Sequence, residues 1–250
     1  MRTVEGPAST RGEDARLRAR VAGALWLVVI VTGIFSEMFV RSNMLVRNDG
    51  AATSALILQH QSLFRLGVVS DITATACYLA VVAILHGLLK PAGRTLSTVA
   101  AAFGMAGSAI AGLNILSSFA PLVILTNAEH LAGFTLQQLQ SLVLLQVKLY
   151  GFGTDISLIF FSGVYLILVG ILVFRSRFLP RMLGAMLAFA GACYLAGSVS
   201  NFLDPELAHA FGSLIYLPGG IAEGSMTIWL IARGVDPRKW GTSAAGPFPR

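Results

Sequence analysis

Three carboxylates and an amide lie inside long apolar stretches of this chain, at Glu37, Asp71, Asn114 and Glu223. An ionisable group there costs about 2.5–3.5 kcal/mol on insertion scales, so each needs a reason to be present. Glu223 is the most central, following Pro218-Gly219-Gly220 with no basic residue within a turn or two. The proline removes a helical donor and the glycines loosen the backbone, which predicts a kink beside a mid-membrane carboxylate. Many carriers build an ion or substrate site in that way. A neutral Glu223 hydrogen-bonded across a bundle is the plainer reading. Glu37 and Asp71 each lie about 10 Å outward of their helix centres at helical rise, and Asn114 falls at nearly the same depth. Three polar groups at one level predict a shared layer and a cavity open on the outer side.

Local explanations compete with that layer. Glu37 can pair with Arg41 one turn later. Asp71, after Ser70, can sit at a helix N-terminus with Arg65 nearby, and Asp155, after Gly153-Thr154, reads as the N-terminal acid of a fourth helix. Asn201, before Asp204-Pro205, reads as a cap or turn residue, and His209 as a solvated loop residue that titrates near neutral pH. Catalytic chemistry finds little support. There is no H-E-x-x-H, no G-x-S-x-G elbow and no phosphate-cradling glycine loop, and His60, His86, His130 and His209 are scattered. No catalytic residue, metal set or cofactor is assigned, and an enzyme is the less favoured class.

The elements that must position these groups are membrane helices. The 250 residues are 55% hydrophobic and 12% charged, half the charge of a soluble domain. Residues 95–128 and 182–203 carry no charge at all. About 20 apolar residues cross a bilayer core, and six stretches qualify: 21–40, 68–89, 95–121, 156–174, 182–203 and 210–232. None alternates with period two, so the fold class is all-α, a polytopic bundle of six transmembrane helices. Two short helices are expected on the outer side. Residues 49–64 set Leu56, Leu63 and Phe64 against Gln59, His60 and Gln61, as a helix along the membrane surface. Residues 135–150 start at a Thr135 cap and run toward the fourth span, with Gly151 and Gly153 as a flexible joint.

Most Lys and Arg residues fall on one side if the N-terminus is inside, leaving only Arg41, Arg47, Arg65 and Lys148 outside. The positive-inside rule then puts both termini in the cytoplasm and the chain in the cell (inner) membrane. The formal charge of +6 does not indicate nucleic acid, because no basic cluster carries interleaved aromatics. Residues 16–235 form one domain, between tails over 1–15 and 236–250 that are expected to be unstructured. Gly104, Ser108 and Gly112, and Ala188, Ala192, Ala196 and Ser200, recur every four residues and predict close helix packing inside the bundle. Cys77 and Cys193 fall within spans and read as packing residues.

Four motifs carry a resemblance: Val31-Thr32-Gly33-Ile34-Phe35-Ser36-Glu37-Met38-Phe39-Val40-Arg41; Leu63-Phe64-Arg65-Leu66-Gly67-Val68-Val69-Ser70-Asp71; Phe178-Leu179-Pro180-Arg181-Met182-Leu183-Gly184; and the closing Glu223 to Val235. In this order the chain resembles the bacterial membrane family catalogued as domain of unknown function 4386, over about residues 16–235. The resemblance implies a compact multi-helix bacterial membrane protein with no assigned activity. It also implies that Glu37, Arg65, Asp71 and Glu223 stand where family members have the same residue types. The chain departs from the pattern at Phe103-Gly104-Met105, where many members carry an arginine, and at Tyr150, where many carry a histidine. A basic partner for the acids is thereby expected to be missing.

These readings favour a non-enzymatic bundle whose outward-facing polar cavity binds or transports a small molecule or ion. Glu223 would be its central site, Glu37 and Asp71 its mouth, Asn114 a neutral partner, and Arg65 and Asp155 supports. The lipid bilayer is the one certain partner. The alternatives are a structural or regulatory protein with no ligand, and an intramembrane metal-dependent hydrolase. Oligomeric state is not legible in the sequence.

Overall fold

The computed structural model describes residues 7–127, 131–204, 206 and 212–245. His209 therefore lies outside the described residues. Six helices are long and apolar enough to cross a membrane: Arg11–Met44, Gln61–Ala92, Arg94–Thr126, Leu136–Arg175, Arg181–Leu203 and Leu214–Ala232. The all-α bundle expected from composition is the observed fold.

The first span is α1 (Pro7–Ile34), which continues without a break through a π-helical stretch, Phe35–Arg41, into a last turn at Ser42–Met44. Asp49 accepts a hydrogen bond from the Ala52 N–H at 2.8 Å and so caps α2 (Gly50–Gln59). The helix expected over residues 49–64 is split at His60, whose backbone leaves the helical region, and residues 61–64 open the second span, α3 (Gln61–Leu89). Thr53, Ser54 and Ile57 are buried where α2 packs on the third and fourth spans.

A tight turn at Lys90–Ala92 leads into α4 (Arg94–Thr126). Thr135 and Gln138 form a reciprocal capping box for α5 (Leu136–Leu158), which passes through a second π-helical stretch, Ile159–Val164, into α6 (Tyr165–Arg175). The second outer helix and the fourth span are thus one rod of 40 residues. The helix runs unbroken through Gly151 and Gly153. Gly153 is held against the Asn114 amide, which a β-carbon would displace.

α7 (Arg181–Leu203) is the fifth span, and α8 (Leu217–Ala232), after a short 3-10 turn at Gly212–Tyr216, is the sixth. Pro218 lies in the first turn of α8, where its missing N–H would have no intrahelical partner anyway. The mid-helix kink expected there is a helix start. Gly234, at φ 66°, takes the left-handed conformation that closes α8, its N–H bonding to the Trp229 carbonyl at 3.1 Å.

The chain then returns as α9 (Pro237–Ala245). Residues 7–15 are helical too, and a β-carbon on Gly12 would meet the Pro237 carbonyl oxygen at 2.6 Å. The described parts of the two expected tails therefore form helices that pack on each other. Their polar composition hid this, because each buries only a narrow stripe. Trp240 of α9 donates Nε1–H to the Leu88 carbonyl at 3.0 Å, anchoring it beneath the second span.

Each span packs on its neighbours in chain order, and α8 returns to α1, so the six form a closed ring. Its outside is apolar. Leu113, Leu116, Met182, Leu203 and Ile228 are each about 70% exposed or more, as lipid-facing side chains are. Its inside holds small polar residues, among them Ser36, Ser108, Ser118 and Thr227. Lipid supplies no hydrophobic drive between helices, so close backbone approach matters. One such approach joins α6 and α7, where β-carbons on Gly170 and Gly184 would each lie 2.6 Å from the other's carbonyl oxygen. The expected alanine stripe on α7 is only half used: Ala188 packs beside Gly170, whereas Ala192 and Ala196 face outward.

Candidate functional site: two separate polar centres

Arg41, expected in an outer loop, is the centre of the first polar cluster. The π-helical turn explains its position. Bonding from i to i+5 sets Ser36 and Arg41 above one another on a single face, and Arg41 Nη1 donates to Ser36 Oγ at 2.8 Å. The same nitrogen reaches Glu37 Oε2 at 3.3 Å. Nη2 donates to Asp71 Oδ2 on α3 and to Ser118 Oγ on α4, the latter at 3.4 Å. The guanidinium also lies 4.5 Å from the ring centre of Tyr150 on α5, a cation–π contact. Ser36 Oγ in turn donates to the Gly67 carbonyl at 3.2 Å. One cation thus ties four spans together near the face opposite the termini.

The predicted layer of Glu37, Asp71 and Asn114 exists, but its members have unequal parts. Asp71 is 16% exposed at the side chain and is the buried counter-charge of Arg41. It lies ten residues into α3, not at its N-terminus, and Arg65 is exposed and makes no ion pair with it. Glu37 makes the predicted pair with Arg41, yet its side chain is 68% exposed, so it sits on the rim. Asn114 joins through Tyr150: its amide donates to the Tyr150 carbonyl at 2.9 Å and to Thr154 Oγ1 at 3.1 Å. The basic partner that the resemblance left missing is Arg41, and Tyr150, one of the departures, lies directly on it.

Asp155 is not an N-terminal acid. It sits inside the 40-residue fourth span and accepts a hydrogen bond from Asn201 Nδ2 at 2.9 Å. Asn201, read as a cap, is that cross-helix donor. These two residues, with Arg47, Asn48 and Lys148, line a cavity of about 650 Å³ on the face away from the termini. Leu45 and Val147 line both this cavity and a small gap beside Arg41 and Tyr150, so the two spaces are adjacent.

Glu223 belongs elsewhere. Trp26 Nε1–H and Tyr194 O–H donate to its two carboxylate oxygens, each at 3.1 Å. Trp26 contacts the Tyr78 ring edge-on at 6.4 Å, and Tyr78 packs against Tyr165 at 6.0 Å, which completes an aromatic surround. Gly219 allows this, since any β-carbon there would strike the Tyr194 ring. Glu223 is therefore held half-buried beside the main core, whereas Asp71 lies a further ~10 Å along α3 from Tyr78. The predicted single cavity with Glu223 at its base and Glu37 and Asp71 at its mouth is replaced by two centres that share the first span and α3 but lie at different levels along them.

Arg41, Tyr150, Ser36 and Ser118 were missed in the sequence. One signal for Arg41 was available: Phe39-Val40 precedes it and Met44-Leu45-Val46 follows, so the helix could run past it. Among the described residues no three His, Cys, Asp or Glu side chains gather as metal ligands. No curated protein and no solved structure matches the chain. The family described as Domain of unknown function (DUF4386) matches residues 21–234, and this multi-pass helical protein belongs to that family.

Proposed function

We propose that the protein binds a small polar organic molecule in the cavity opposite its termini. The observation that carries this reading is the 650 Å³ space itself, which falls within the 300–1,000 Å³ of ordinary ligand sites and has a mixed lining. Lys148 and Arg47 supply positive charge, Asp155 and Asn201 supply an acceptor and an amide, and Leu45, Leu144, Val147 and Phe152 supply apolar wall. That lining favours a molecule bearing an anionic group on a small carbon skeleton. The Arg41 cluster lies behind the wall as its rigid support.

Gly151 provides a clean test, because it lines the cavity and has open space in front of it. A Gly151→Leu side chain fills the cavity without striking the fold. In a melting screen of small anionic and zwitterionic metabolites, at least one compound is expected to stabilise the parent, by about 2.7 kcal/mol at a hundred times its Kd. The same compound should leave Gly151→Leu unmoved. A parent that responds to nothing, or a variant that responds equally, defeats the proposal. The ligand-free structural reading has one observation in its favour: Asp71, Asn114 and Glu223 all have partners already. It predicts that outcome.

A further inference from the structure

The face that carries the termini holds a second, larger space of about 1,000 Å³. Four cations line it. Arg175, Arg177 and Arg181 come from the turn between α6 and α7, and Lys239 comes from α9. Ser176, Thr242 and Ser243 add hydroxyl-bearing residues, and no acidic residue is part of the lining. The three arginines are exposed and make no ion pair among the described residues, and Arg181 lies 5.9 Å from the Phe174 ring centre. Lys239 alone has a counter-charge, Asp236 at 3.5 Å, where both groups remain largely exposed. The α7 N-terminus adds to the positive field, since Pro180 precedes it and offers no side-chain cap.

A basic turn by itself needs only the positive-inside rule to explain it. What that rule does not call for is a cavity built from three segments far apart in sequence, at 91–92, 175–181 and 239–243. Here α9 turns back at Gly234, Asp236 N–H bonds to the Phe178 carbonyl at 3.2 Å, and Trp240 fastens the helix to Leu88. These contacts hold Lys239, Thr242 and Ser243 opposite the arginines. Phe174, 50% exposed, and Met182, 73% exposed, flank the basic turn on the lipid side. Cations and hydroxyls beside exposed apolar side chains match a phosphodiester headgroup with its acyl chains attached.

We infer that this cavity is a binding site for the headgroup of an anionic phospholipid. Basic pockets at the ends of membrane helices recognise such headgroups by charge and hydrogen bonding. Free phosphate presents the same oxygens, but it would leave Phe174 and Met182 without a role.

The test uses the full chain in detergent, with dioleoyl phosphatidylglycerol, dioleoyl phosphatidylcholine and inorganic phosphate as separate probes, read by native mass spectrometry and by melting. Phosphatidylglycerol is expected to bind and stabilise, and the other two are not. The Arg177→Gln/Arg181→Gln pair should weaken phosphatidylglycerol about thirtyfold, and Lys239→Gln alone about fivefold, while lipid-free melting stays at the parent value. Arg11→Gln/Arg18→Gln removes the same charge from exposed positions near that face outside the cavity and should change little. Equal binding of phosphatidylcholine, equal loss in the Arg11/Arg18 control, or equal stabilisation by inorganic phosphate would each overturn the assignment.

Discussion

Removing Asp71 would leave Arg41 buried beside a rim carboxylate and two hydroxyls, with its nearest counter-charge gone. Breaking a buried ion pair in this way costs about 3 kcal/mol or more, whereas an exposed pair contributes about 1 kcal/mol or less. Asp71→Ala should therefore lower the unfolding free energy in detergent by about 3 kcal/mol, and Glu37→Gln by under about 1 kcal/mol. Equal effects would show that the cluster is not organised around the Arg41–Asp71 contact. Glu223→Gln probes the second centre. Its two oxygens accept from Trp26 and Tyr194, and an amide can accept at only one position while presenting N–H to the other donor. The expected cost is about 1–3 kcal/mol by melting, with no change in ligand response at the cavity near Asp155. A change there would mean that the two centres are coupled. Glu37, Asp71, Asn114 and Glu223 were legible in the sequence because charge and amide stand out against apolar runs. The common level of Glu37, Asp71 and Asn114 was legible too, but the place of Arg41 at its centre and the separation of Glu223 from it were not, because Arg41 reads as a loop residue until the π-helical turn carries it inside.

Helix packing in this bundle depends on a few close approaches, and the Gly170–Gly184 contact between α6 and α7 is one in which backbone meets backbone on both sides. A Gly184→Ala methyl would fall 2.6 Å from the Gly170 carbonyl oxygen and 3.0 Å from the Phe174 Cα, which only a backbone shift can relieve. Overpacking of this kind costs about 1–3 kcal/mol. Ala192→Leu, on the outward face of the same helix, should stay within about 0.5 kcal/mol. If melting shows the reverse order, α7 packs through its alanine face instead. Sequence spacing points to both faces equally, since small residues recur on each. The choice between them depends on which face meets α6, and that follows from rotations of two helices that no local pattern encodes. The two π-helical stretches are likewise invisible in residue spacing, yet one positions Arg41 and the other supplies the Phe161 carbonyl that accepts from Tyr78 O–H at 3.1 Å.

For the molecule in its membrane, the uneven spread of Lys and Arg makes a prediction about topology. Gln59 and Arg94 are both exposed, at opposite ends of the second and third spans. In a background lacking Cys77 and Cys193, Gln59→Cys should react with a membrane-impermeant maleimide on intact cells. Arg94→Cys should react only after permeabilisation. The opposite result would invert the bundle, place the arginine-rich cavity outside, and remove its access to the inner leaflet.

The six spans, the all-helical character of the described residues, the family and the polar outliers all follow from the order of residues alone. Hydropathy over 20 residues is a local property, and a bilayer enforces helices wherever it is met. Three-dimensional contact decided the rest. It placed Arg41 between Asp71 and Tyr150, held Glu223 between Trp26 and Tyr194, and folded α9 back over the arginine turn. Each of these joins side chains tens of residues apart through hydrogen bonds or close packing. Such pairings depend on how the helices are rotated and staggered against one another, which the whole ring settles together.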